Sequence, residues 1–139
     1  MTNKEYMSRA YQIDKRIKSR KNRLAYLRTK VGTSKQELSG MPKGSPSLSS
    51  QIEELAIRIV DLEASIEQDE KELTTARAEI LGSIESIRNE NLATILQMRY
   101  LDYMKWEDIM AAMDFCRSYL YELHGRALKA IKQRRLVNG

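Results

Sequence analysis

The sequence predicts an all-α protein: an N-terminal antiparallel coiled-coil helical hairpin followed by a tri-helical helix-turn-helix head. Three observations carry this. From Leu48 to Ile87 a stripe of mainly apolar residues advances by alternating fours and threes, the signature of a coiled-coil helix. The stretch Ser39-Gly-Met-Pro-Lys-Gly-Ser-Pro-Ser47, with two Pro and two Gly in nine residues, separates that stripe from an earlier one. From Glu90 onward three apolar-periodic segments follow one another with short breaks, and the last ends in a basic cluster. The expected domains are therefore 1–88, the hairpin with its loop at 39–47, and 89–139, the head.

The first helix is expected from about Asn3 to Val31. Tyr6, Ala10, Ile13, Ile17, Leu24, Leu27 and Val31 keep helical spacing, Arg20 fills the gap in the stripe, and Gly32 is the first breaker. The second helix is expected from Ser47 to Arg88, capped by Ser49 or Ser50, with Glu53 and Glu54 suited to a positive helix N-terminus. At ~1.5 Å per residue it would be about 60 Å long. Its stripe carries one polar member, Asp69, where a register-setting residue is often found. The loop between two striped helices implies an antiparallel hairpin. About 29 residues then face about 42, which leaves part of the second stripe without an intramolecular partner. This mismatch is the ground for expecting a homodimer.

Charge is segregated along the chain. Residues 1–35 hold eleven Lys/Arg and two Asp/Glu, residues 36–95 five and twelve, and residues 96–139 eight and five, within an overall +5. The basic first helix and acidic second helix are expected to pair, so the net basicity is weak evidence for nucleic acid. The outer face of the first helix has two readings, a coiled-coil partner or a second DNA surface, and the pairing favours the first.

Several function classes lack their parts. One Cys and one His cannot build a disulfide or a metal site, so no metal or other cofactor is expected. There is no Gly-rich phosphate loop running into Lys-Ser/Thr, no nucleophile elbow and no His cluster, so no catalytic residue is assigned. No apolar run is long enough to span a bilayer and no apolar leader is visible. A reduced, cytoplasmic protein away from the membrane is expected.

The head divides into helices at Glu90–Tyr103, Trp106–Met113 and Arg117 to about Arg135, with Asp114-Phe115-Cys116 as the tight turn. On the third helix Leu120, Leu123, Ala127, Leu128 and Ile131 form the inward face. Arg117, Ser118, Tyr121 and Glu122 fall outward on its first turns, where such helices meet base edges of double-stranded DNA. Arg117 suits a bidentate contact to guanine; Glu122 suits cytosine or an ion pair with Arg126 four residues on. Arg126, Lys129, Lys132, Arg134 and Arg135 are placed for phosphates. Trp106 joins the phosphate-facing set, and its bulk suits a core anchor better than a base stacker. Tyr119 is read either as a thymine or phosphate contact or as packing on the preceding helix. Cys116 is read as a small packed residue and His124 as a structural one.

In these residues the head resembles region 4 of the bacterial sigma-70 factors. The resemblance lies in Leu96-Gln-Met-Arg-Tyr-Leu101, Trp106-Glu-Asp-Ile109, Cys116-Arg-Ser-Tyr-Leu120 and His124-Gly-Arg-Ala-Leu128, about a third of the chain. The sequence departs from that family at Met110 (usually Ala), Asp114 (usually Gly) and Cys116 (usually a Ser or Thr cap). With the loop Met41-Pro-Lys-Gly44 the whole layout is similar to small phage and prophage transcription regulators of Gram-positive bacteria. That resemblance implies control of phage genes, commonly late ones, in the cytoplasm of a bacterial host, with RNA polymerase as an additional partner. The chain has no segment for melting a promoter, so a complete sigma factor is not expected. The alternative is a coiled-coil adaptor that binds RNA polymerase or another protein and reads little DNA sequence.

Overall fold

A computed structural model of the chain describes residues 1–39 and 46–136. These residues are all-α, with no strand among them: α1 Asn3–Ser39, α2 Pro46–Glu85, α3 Glu90–Leu96, a π-helical turn Gln97–Leu101, α4 Trp106–Met113 and α5 Arg117–Ala130. They fall into two compact units. One joins 1–14 to 72–139; the other is 15–71. The chain thus divides inside α1 and α2, whereas the sequence suggested a boundary at 88/89. The reason is packing: the first turns of α1 and the last turns of α2 share a core with the head.

In unit 15–71, α1 and α2 run antiparallel. Lys21 pairs with Glu70 at 3.3 Å and Arg28 with Glu63 at 3.4 Å, so partners on α2 descend as positions on α1 rise. These exposed pairs contribute at most ~1 kcal/mol each. Ile17, Leu24, Leu27, Leu55 and Ile66 form the buried seam. The two polar interruptions of the stripes meet inside it. Asp69, 3% exposed, accepts from Arg16 Nε at 3.1 Å and from Arg20. Removing either partner would leave a buried charge less well compensated, which favours the observed register.

Several boundaries differ from the sequence reading. Helix α1 runs eight residues past Val31. A glycine inside a helix costs ~1 kcal/mol, and Val31 and buried Ser34 continue the packed face past Gly32. Helix α2 begins at Pro46, a residue whose fixed φ suits a first helical position, so Ser49 and Ser50 lie inside the helix and cap nothing. Of the expected 39–47 loop, 40–45 with Met41-Pro-Lys-Gly44 lie outside the described residues. The helices therefore span 37 and 40 residues, and the mismatch that argued for a homodimer shrinks to three. Helix α2 stops at Glu85, and Asn89 caps α3 by accepting from the Asn91 and Leu92 amides, so the long helix does not run into the head.

Unit 1–14/72–139 has two buried clusters. Ile95, Ile109, Leu120 and Leu123 join α3, α4 and α5, flanked by Met98, Met110, Met113 and Trp106. Tyr6, Met7 and Ala10 of α1 meet Ile80 and Ile84 of α2, Leu96, Tyr100 and Leu101, and Ala127 and Ile131. The helix expected at Glu90–Tyr103 is α-helical only to Leu96. The π-helical turn ends on the bond from the Asp102 amide to the Gln97 carbonyl at 3.0 Å, and Tyr103 follows at φ 58°, a left-handed conformation costly for a bulky residue.

Candidate nucleic-acid interface

The turn between α4 and α5 is built as its residues allow. Asp114 adopts φ 56° and ψ 43°, and its amide bonds the Met110 carbonyl. Left-handed backbone favours Gly, Asn and Asp, so Asp114 suits this position. Glu107 and Asp108 sit in the first turn of α4, complementing its dipole. Cys116 precedes α5 without a side-chain cap bond. It is exposed, which corrects its reading as a packed residue. Its Sγ lies 3.5 Å from Ser118 Oγ, and this bond lowers its thiol below the ordinary range.

Helix α5 buries Leu120, Leu123 and Ala127, so its opposite face is fixed outward. Arg117, Ser118, Tyr121 and Glu122 all lie exposed there. Arg117 Nη1 donates to the Tyr121 hydroxyl at 3.0 Å, and Nη2 lies 3.6 Å from Glu107. Glu122 takes the ion-pair option, accepting from Arg126 at 2.7 Å. These are exposed bonds that a ligand exchanges at little cost. Tyr119, 43% exposed, packs edge-on against Phe115.

The residues expected to face phosphates divide in three. Arg126 and Lys129 are exposed on α5. Trp106 is half-buried: the Arg99 guanidinium lies 4.6 Å from its ring centre, and Tyr121 and His124 meet it edge-on. It anchors the core, as its bulk suggested. Lys132, Arg134 and Arg135 are not on the helix, which ends at Ala130 with Ile131 extended. This corrects the expected helix to Arg135. Asn3 Nδ2 donates to the Leu128 and Ile131 carbonyls at 2.7 and 3.2 Å, taking up acceptors a longer helix would need. Ser83 donates to the Lys132 carbonyl at 2.8 Å. The buried Tyr6 hydroxyl accepts from the Arg134 amide at 2.9 Å and donates to its carbonyl at 2.7 Å.

The tail has a second anchor, Glu79, which the sequence reading missed. It is 4% exposed, accepts from Arg9 at 2.8 Å and from the Leu136 amide at 2.6 Å, and has Arg135 at 3.8 Å. Burial pushes its carboxyl up, but the Arg9 bond, the Leu136 amide and the two guanidinium charges prevail and hold it below the ordinary value. The only available signal was a carboxylate next to the apolar stripe. His124 is structural: the Tyr100 hydroxyl lies 2.7 Å from Nε2. Burial, then the charges of Lys4 and Arg99, lower it to about 4, so it is neutral at pH 7.

Among the described residues no group of His, Cys, Asp and Glu could hold a metal ion, and no helix is long and apolar enough to cross a membrane. No curated protein and no solved structure matches the chain. A family model described as "Protein of unknown function (DUF1492)" matches residues 47–132, which take in α2 and the three head helices. The chain belongs to that family.

Proposed function

We propose that this protein is a sequence-specific DNA-binding transcriptional regulator, controlling phage or prophage genes in the cytoplasm of a bacterial host. One observation carries the reading. The first turns of α5, set by a left-handed turn after α4, present Arg117, Ser118, Tyr121 and Glu122 outward while the other face is locked into the core. That is how helix-turn-helix heads offer side chains to a major groove. Arg126 and Lys129 supply phosphate contacts beside them, and the resemblance to sigma-70 region 4 adds RNA polymerase as a partner.

Selection of bound duplexes from a random library at physiological salt tests the reading. A recovered motif supports it, and two spaced half-sites within the motif would report a homodimer. On the recovered site Arg117→Ala is expected to cost ~1–3 kcal/mol and to relax one base position; unchanged affinity and preference would remove Arg117 from the base-contacting set.

The adaptor reading is favoured by a different observation. In unit 15–71 Tyr26, Ile57 and Val60 are 62%, 63% and 65% exposed, apolar surface that a protein partner would cover. A folded protein that selects no motif would move the assignment to this reading.

A further inference from the structure

The head unit contains a cleft of about 420 Å³, within the ~300–1,000 Å³ typical of ligand sites. Lys4 on α1, Arg99 in the π-helical turn and Lys105 before α4 line it. Tyr11, Tyr103 and Trp106 complete the wall. Lys4 converges here with two cations nearly a hundred residues further along the sequence, and among the described residues no carboxylate lines the cleft. Asp14 is bonded to the Tyr103 hydroxyl. An arginine-lined groove in unit 15–71 contrasts with it: Arg16 and Arg20 there are held by Asp69, Arg58 by Glu54, and Asp61 lines the groove.

The positive field reaches a neighbour. Lys4 and Arg99 both disfavour protonation of His124, beyond the larger effect of burial. The aromatic wall is partly open to solvent: Tyr11 is 44% exposed and meets Tyr103 edge-to-face at 5.4 Å. Tyr103 is held at φ 58°, strain of a kind that concentrates at binding sites.

We propose that this cleft binds the phosphate group of a nucleotide, with Lys4, Lys105 and Arg99 as the anion ligands and Tyr11 and Tyr103 beside the base or sugar. The same chemistry is offered by a free mononucleotide and by the backbone of duplex DNA. The inference does not depend on base reading by α5, which motif selection measures separately.

Trp106 is the single tryptophan of the chain and lines the cleft, so its fluorescence reports occupancy. The full chain is titrated with adenosine monophosphate, guanosine monophosphate and a random-sequence duplex, and the titrations are repeated on K4Q/K105Q. Both lysines are exposed, and circular dichroism checks that the variant keeps its helices. A saturable change with a mononucleotide, weakened about tenfold or more in the variant, identifies a free nucleotide as the ligand. A change with the duplex alone, whose salt slope falls by ~0.9 per lost phosphate contact in the variant, identifies the backbone. No change with either probe, or the same change in both proteins, overturns the proposal.

Discussion

Helices α1 and α2 do different work in the two compact units. In unit 15–71 they pack on each other, and the seam is a repeating ladder closed by Arg16, Arg20 and Asp69. In unit 1–14/72–139 the same stripe, now Tyr6, Ala10, Ile80 and Ile84, is a wall of the head's core, and its polar residues bind backbone. Tyr6, Ser83 and Glu79 hold the tail after α5. A ladder tolerates change by sharing it among similar rungs; a wall that serves several elements concentrates it.

The comparison can be broken at four points. The largest effect is expected for Leu120→Ala, which empties a fully buried position shared by α3, α4 and α5. A loss of ~2–5 kcal/mol is expected, read in a denaturant series followed by Trp106 fluorescence. Ile66→Ala in the ladder, where the native residue keeps 7% exposure, should fall at the low end of that range; equal losses would erase the distinction.

Tyr6→Phe comes next. It keeps the ring in the core and removes the hydroxyl that both accepts from and donates to Arg134. A loss of ~1–3 kcal/mol is expected, with faster amide exchange at 132–136. If exchange there is unchanged, Tyr6 does not hold the tail.

The third is a pH dependence confined to the head. His124 is lowered to about 4 in the fold by burial, then by Lys4 and Arg99, against ~6.5 in an unfolded chain. Above pH ~6.5 it is neutral in both states and its contribution to stability is complete. As pH falls toward 4 the unfolded chain takes up the proton first, so stability is lost. His124→Gln should flatten the decline over that interval. The decline from Glu79, also held below its ordinary value, lies lower in pH and should persist. An unchanged slope in the variant would show that His124 titrates normally.

The smallest effect is Gly32→Ala in the ladder. Nothing lies within 4 Å of an added Cβ there, so a gain of ~0.5–1 kcal/mol is expected from the lost glycine entropy. A destabilised variant would mean that the helix through Gly32 needs the glycine.

Much of this was legible in the sequence because it depends on local period. Every described member of the α2 stripe from Leu48 to Ile87 is buried or half-buried. Helix α4 and the start of α5 fall at Trp106–Met113 and Arg117 as the spacing indicated, and the outward set Arg117, Ser118, Tyr121 and Glu122 follows from the inward one. Gly32 misled because its cost is smaller than the gain from continuing the packed face. The end of α5 misled because Lys132-Gln-Arg-Arg135 has good helix formers, and only bonds to Asn3, Tyr6 and Ser83 draw that backbone away.

The sequence by itself determined an all-α chain, two long striped helices broken near Ser39–Ser47, a short-helix head and the face α5 turns outward. Periodicity and turn residues act over a few positions, and those are present in the order of the residues. Only the tertiary structure decided that residues 1–14 belong with the head, that Asp69 meets Arg16 and Arg20, that Glu79 and Tyr6 hold the tail, and that Lys4, Arg99 and Lys105 share a cleft. Each of these joins groups dozens of residues apart, and a buried charge or hydroxyl finds its partner through space.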